Sequence, residues 1–267
     1  MNNAFKRIAD GTCIYCGRPD DQLTEEHIVP FALGGKHTLD AAVCEQCQTS
    51  FNREIETPLL QNALLQSRAK YGWRSRKNKK RLISSNTLIP LPTDPNSGTL
   101  SPETVRARDY RGPSMLLRVA ERPRLLTGRT GGISIGLVSD SDGMKPGTHY
   151  ISSMRLEDLD LMAKLLMKIG HAYCHFEGVK SFTPFLKDGM WNPCLFVGAP
   201  SSAEPIAATG LNYGMELREE NRLLIVKVQL FALGPLVYSH DVIVGGLPGW
   251  AMALPSKQRQ MPPWHFA

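Results

Sequence analysis

The chain of 267 residues contains no uninterrupted apolar run approaching the roughly 18 residues that a bilayer-crossing helix needs. Its opening, Met1 to Ile8, already carries Lys6 and Arg7 and lacks the apolar stretch of a secretory signal. No internal repeat of fixed period is visible, which sets aside solenoids and propellers. Wholesale disorder is excluded on other grounds: 42% of the residues are apolar and 21% charged, enough to build a core. A soluble, cytoplasmic protein without a membrane partner is the expectation. At ~150 residues per domain it holds one large domain or two small ones.

Acid is missing from one stretch altogether. Residues 61–93 carry eight Lys/Arg and no Asp/Glu, whereas residues 1–60 carry five against nine and residues 94–267 eighteen against sixteen. A basic block between near-neutral neighbours points to a local polyanion contact. Its cations are Arg68, Lys70, Arg74, Arg76, Lys77, Lys79, Lys80 and Arg81, with Tyr71 and Trp73 among them. Phosphate neutralisation by such a run releases counterions, and an aromatic ring there can stack on an unpaired base. The plainer alternative is a solvated basic linker.

Cysteine is sparse, six in all, yet four of the six form two matched pairs: Cys13 with Cys16, and Cys44 with Cys47. Without an export signal these are read as metal ligands rather than disulfides, because the cytosol keeps thiols reduced. Two such knuckles supply four thiolates to one tetrahedral zinc, a closed structural site with no position left for substrate. Residues 17–43 between the knuckles are longer than a simple zinc ribbon needs, so something is built inside that loop. It contains Glu26-His27-Ile28-Val29-Pro30 and the Gly34-Gly35 pair. His27 can act as a base near neutral pH, and Glu26 can help hold a hard cation that grips a phosphate. His171, Cys174 and His175, at helical i, i+3 and i+4 spacing, form a second metal-like set, weighed against an ordinary buried helix face. Cys194 reads as core.

The remaining pattern divides the chain. From residue 49 to 71 Phe51, Ile55, Leu59 or Leu60, Leu64 and Leu65 recur at helical spacing, with Pro58 expected to split the run or start its second half. Residues 86–113 are rich in Pro, Ser, Thr, Asn and Asp and read as a linker. Beyond it, residues 115–120 and 132–138 read as strands, 157–177 as one amphipathic helix stopped by Gly178, and 222–231 with 236–244 as a β-hairpin turning at Gly234-Pro235. The expected divisions are residues 1–60, a zinc-stabilised module; 61–85, a helical and basic segment; 86–113, a linker; and 114–267, an α+β domain of unassigned role.

Taken together, Cys13, Cys16, Glu26-His27-Ile28-Val29-Pro30, Gly34-Gly35, Leu39, Cys44, Cys47 and Phe51 resemble the HNH endonuclease family in its zinc-braced form, over about residues 10–57. The resemblance implies a ββα-metal fold, a hairpin followed by a helix around one catalytic divalent ion. It implies His27 as general base toward a water attacking the scissile phosphate, Glu26 as ligand of a Mg²⁺ or Mn²⁺ ion, and the four cysteines as ligands of a structural Zn²⁺. The family's third-motif residue should come from the helix after Cys47. Here Gln48 follows that cysteine, and Ala41 or Ala42 stands where a middle Asn is usual. Asn52, one helical turn beyond Gln48, is the choice for the third ligand, with Gln48, Glu54 and Glu56 as alternatives. The expected overall class is α+β: this module followed by a carboxy-terminal domain with a β-hairpin and one long amphipathic helix. The expected activity is metal-dependent DNA hydrolysis, with RNA as an alternative partner and a homodimer through the carboxy-terminal domain as a further option. A zinc-stabilised nucleic-acid binder with a degenerate site is the competing reading.

Overall fold

A computed structural model describes residues 5–7, 11–71, 74–75, 78–82, 88–90, 104–106, 114–140, 155–202, 204–206, 211–233 and 237–250. At residues 7, 74–75, 78–82, 88–90, 115 and 139–140 it describes the backbone alone. Trp73, Arg76, Lys77, most of the expected linker and the Gly234-Pro235 turn lie outside the described residues.

The amino-terminal part holds three strands, β1 (Phe5–Arg7), β2 (Thr24–His27) and β3 (Thr38–Val43), in the order β1-β3-β2. Strands β2 and β3 are antiparallel, and β1 runs parallel to β3. A 3-10 turn, Phe31–Leu33, and the Gly34-Gly35 pair connect β2 to β3. Only glycine serves at 35, because a Cβ there would lie 1.7 Å from the Val29 carbonyl oxygen. Next come α1 (Glu45–Phe51), α2 (Thr57–Gln61) and α3 (Leu65–Tyr71). The first two are not separated by a break. Residues Asn52–Glu56 form a π-helical segment, in which the Thr57 N–H donates to the Asn52 carbonyl. Pro58 follows at the start of α2, where its missing N–H costs a hydrogen bond, and the wide turn absorbs the change of register. The proline therefore bends the bonding pattern without ending the helix.

Three two-stranded ladders come next: β4 (Arg74–Ser75) with β5 (Asn78–Leu82), β6 (Leu88–Pro90) with β7 (Thr104–Arg106), and β8 (Ser114–Val119) with β9 (Ile135–Asp140). The short α4 (Arg124–Thr127) sits between β8 and β9. Strand β4 lies against the Phe31–Leu33 turn, which brings the backbone of the basic run beside the β2–β3 connection.

The carboxy-terminal part opens with α5 (Leu156–Glu177), stopped by Gly178 in the left-handed conformation at φ 80°. It continues through β10 (Thr183–Pro184), α6 (Leu186–Trp191), α7 (Pro193–Phe196) and β11 (Val197–Gly198) to three long strands, β12 (Tyr213–Glu220), β13 (Leu223–Leu230) and β14 (Tyr238–Gly246). These form an antiparallel sheet in the order β10-β14-β13-β12, with β11 also paired to β14. The expected hairpin is thus two strands of a larger sheet. Strand β12 escaped the pattern because Glu216, Arg218, Glu219 and Glu220 disguise it as a loop. Its link to β13 also lacks a glycine: Asn221 and Arg222 take φ of 53° and 61°, the positive pair that a tight primed hairpin turn demands.

Every residue of β13 is buried. Helix α5 packs on β13 and β14, while the segment around Glu204 and Ile206 bonds to Lys227 and Gln229. The long helix is expected to keep one wet face. Instead Lys168 and His171, on the side away from its apolar stripe, are 3% and 2% exposed. That side packs on the amino-terminal part: His171 Nε2 donates to the Ile14 carbonyl at 2.7 Å. Burial, then the neighbouring His175, depresses the His171 imidazole to about 3, so it serves as a neutral donor. One hydrophobic core runs from Cys13 and Ile28 through α5 to β13 and β14. No helix among the described residues is long and apolar enough to cross a membrane.

Helix α5 approaches the sheet through Gly170, where an added Cβ would meet Val244 Cγ1 at 2.7 Å. Gly170→Val is expected to lower the unfolding free energy by about 1–3 kcal/mol through overpacking. Urea denaturation reads it; an unchanged midpoint would contradict this helix–sheet contact.

Candidate metal centre and catalytic cleft

The first knuckle is a tight turn. Gly17, at φ 72°, donates its N–H to the Cys13 carbonyl at 2.8 Å, and the Ile14 N–H reaches the Ala42 carbonyl on β3 at 2.9 Å. The second knuckle is the start of α1: Cys44 is extended at its N-cap, and Cys47 lies in its first turn. The four Sγ atoms lie within 4.8 Å of one another, with Cys16 and Cys44 at 3.9 Å. A tetrahedron of thiolates at the usual zinc–sulfur length of about 2.3 Å has edges of about 3.8 Å. The cysteines are therefore positioned to bind a metal ion, and an all-sulfur, four-coordinate set suits zinc. A hydrogen bond from Cys47 draws the Cys13 thiol below its ordinary value, while that bond and burial push Cys47 up. Arg18, beside Cys16, offsets part of the negative charge that four thiolates would concentrate.

This cage fixes both ends of the loop that carries His27. On β2 the alternation of a strand separates the acids. Glu25 is exposed, Glu26 is buried, and His27 is half-buried. The His27 Nε2 lies 3.4 Å from Glu25 Oε1, and its ring meets Phe31 edge-on at 5.7 Å. The Gln48 amide donates to the Glu25 carbonyl at 3.2 Å, joining α1 to β2. At the far end of the loop, Tyr213 of β12 accepts the N–H groups of Lys36 and His37 at 3.0 and 3.1 Å.

A cleft of about 420 Å³ opens beside His27. Its walls include Glu26, Gln48, Asn52, Glu56, Arg68 and Lys168. Four of the expected or alternative ligands thus meet His27 in one place, while Glu54 lies in a different crevice and pairs with Arg53 at 2.7 Å. The oxygen donors present suit a hard ion such as Mg²⁺ or Mn²⁺, which takes one or two carboxylates and completes its shell with water. Among the described residues, the four cysteines are the one group of three or more His, Cys, Asp or Glu side chains converging as a metal site.

Glu26 is not an open ligand. It pairs with Lys168 of α5 and accepts the Tyr15 hydroxyl at 3.1 Å. Lys168 also donates to Glu56 at 2.5 Å. Burial lifts the Glu26 carboxyl above its ordinary range, with Lys168 pulling it back. Burial would likewise depress the Lys168 ammonium, but Glu26 and Glu56 outweigh it and hold it above the ordinary lysine value. We read the group as two carboxylates sharing one ammonium. The sequence pattern does not single out Lys168, although a lone cation inside Leu165-Leu-Met-Lys-Ile-Gly170 is a signal in retrospect.

Of the basic run, Arg68 is 7% exposed, bonds the Leu60 carbonyl at 2.8 Å, and forms cleft wall rather than open surface. Tyr71 is half-buried and stacks on Phe231 at 6.4 Å, against the edge of the core. Lys70 is half-buried. Arg74, Lys79, Lys80 and Arg81 are placed by backbone only, on β4 and β5.

Residues 13–64 match the family model for HNH endonuclease, so this module carries an HNH-family, nuclease-type assignment. No curated protein matches the chain, and no solved structure does.

Cys44→Ser should lower bound zinc well below one per chain and unfold the module, since structural zinc carries an apparent ~10–16 kcal/mol in zinc-finger peptides. Elemental analysis with circular dichroism tests this; full zinc content and an intact spectrum would contradict the cage.

Proposed function

We propose that the protein is a metal-dependent HNH endonuclease that hydrolyses DNA phosphodiester bonds. The observation that carries the reading is the position of His27, inside the family-matched loop between the two knuckles and on the wall of the cleft shared by Glu26, Gln48 and Asn52. His27 takes the proton from the attacking water. Glu25, 3.4 Å from its Nε2, stabilises the imidazolium that results. Phe31 holds the ring edge-on and limits its rotation. Glu26 and Asn52 would hold a divalent ion, Mg²⁺ or Mn²⁺, which would supply charge neutralisation at the phosphate and at the departing 3′ oxygen. Zn²⁺ at the four cysteines serves structure alone. A cytoplasmic setting, which keeps thiols reduced, would suit four cysteines that hold zinc.

A second reading, a nucleic-acid binder with a silenced site, draws support from one observation: Lys168 already engages the carboxylate that the reading assigns to the ion. Plasmid nicking with Mg²⁺ or Mn²⁺ separates the two. Loss of a general base costs about 10²–10⁴-fold in rate, so His27→Ala should nick that much more slowly. Tight DNA binding with no nicking by either protein would favour the binder, and preferential cleavage of RNA would replace DNA as the substrate.

The basic run is proposed as the phosphate-contacting surface, because β4 lies against the turn that lines the cleft. Neutralising Arg76, Lys77, Lys79 and Lys80 together should weaken DNA binding and flatten its salt dependence, by about 0.9 in log–log slope for each phosphate no longer neutralised. Zinc content should stay unchanged. An unaltered affinity across several salt concentrations would reduce the stretch to a linker.

A further inference from the structure

The carboxy-terminal part places one charged atom within the proposed ion site. Lys168 projects from the middle of α5, 3% exposed, and its ammonium bonds both Glu26 and Glu56. Both contacts go to Oε1, and the Tyr15 hydroxyl also binds Glu26 at Oε1. Lys168, Glu26 and Glu56 line the same cleft as His27 and Asn52. We propose that Lys168 is a tethered cation that competes with the divalent ion for Glu26 and Glu56, and so sets the ion affinity of the cleft. The inference rests on the nuclease reading above for the role of that ion.

Three features support the competition. First, two carboxylates that would together present two negative charges present one when they share an ammonium, so an arriving dication meets half the charge and a like-charged neighbour. Second, the lysine has little freedom at its base, and its side chain is 3% exposed. Met167 and Ile169 on either side of Lys168 are fully buried, and Gly170 lies against Val242 and Val244, so the lysine is fixed by the packing of α5. Third, Glu56 sits at the end of the π-helical segment, whose widened turns set where it projects relative to Asn52. The other charged groups on the cleft wall, Glu25 and Arg68, contact neither carboxylate among the described hydrogen bonds: Glu25 pairs with His27, and Arg68 bonds the Leu60 carbonyl. Lys168 is therefore a positioning residue that acts through Glu26. It makes the ion site a property of the whole chain, because the module between the knuckles does not contain it.

The test is equilibrium titration of the full-length, zinc-loaded protein with Mn²⁺ alone, without nucleic acid. Lys168→Met should bind Mn²⁺ about tenfold tighter or more, the scale on which one adjacent charge shifts an ionic equilibrium at a partly buried site. Adding Glu26→Gln to that variant should abolish the gain. If Lys168→Met fails to keep its zinc and its circular dichroism spectrum, Lys168→Met with Glu56→Gln removes the repulsion between unshielded carboxylates; it should still bind tighter than Glu56→Gln alone. Equal or weaker Mn²⁺ binding by a folded lysine variant overturns the proposal, and so does absence of Mn²⁺ binding by all the proteins. The nuclease reading is judged separately, by wild-type nicking at saturating Mn²⁺ against His27→Ala. Nicking can survive failure of the competition, and tighter Mn²⁺ binding without any nicking would retain the tethered cation while removing the nuclease.

Discussion

The structure depends first on four sulfur atoms being brought within 4.8 Å of one another. A loop of the length between Cys16 and Cys44 has no reason to hold one conformation on local propensity alone. Its strands are short, its helical turn has three residues, and chains of this size rarely stabilise themselves by burial. Closing the loop through a metal removes most of its freedom at once, and the cost of gathering like-charged thiolates is met by the cation between them. What remains is steered by backbone detail. The Ile14–Ala42 hydrogen bond lays the first knuckle on β3, and the Gly35 backbone nests under Val29. The result is a β2 strand on which Glu25, Glu26 and His27 have three different environments.

A second constraint comes from the opposite end of the chain. The core is continuous from the cysteine knuckles to β14, and α5 runs through its middle. Tyr213 pins one end of the β2–β3 connection, His171 bonds the first knuckle, and Lys168 neutralises the acid beside the proposed base. Burying an ion pair seldom adds net stability, while removing one partner from it typically costs ~3–5 kcal/mol. The Lys168 contacts to Glu26 and Glu56 thus tie α5 to β2 and the π-helical segment without themselves accounting for the stability of the fold. Among the described residues the carboxy-terminal part contributes Lys168 alone to the lining of the cleft.

Much of the site was legible in the chain because its chemistry is local. Paired cysteines, an acid-histidine step and a Gly-Gly tip each lie within a few residues, and a local motif survives without knowledge of the fold. The long helix was legible too, to within a residue of its start, because Leu159, Met162, Leu166 and Ile169 repeat at its period and Gly178 stops it. What was not legible is long-range. Lys168 and Glu26 are separated by 142 positions, and nothing in either neighbourhood announces the other. The burial of Arg68 and the stacking of half-buried Tyr71 on Phe231 are likewise tertiary facts that no local pattern announces. Strand β12 was hidden by its charges and by a hairpin turn built from Asn-Arg instead of Asn-Gly.

The central claim is that all four cysteines hold one zinc and thereby shape the His27 loop. X-ray absorption at the zinc edge of the purified protein tests it most directly. A single shell of four sulfurs at about 2.3 Å is expected. A shell containing nitrogen or oxygen, or fewer than four sulfurs, would contradict it.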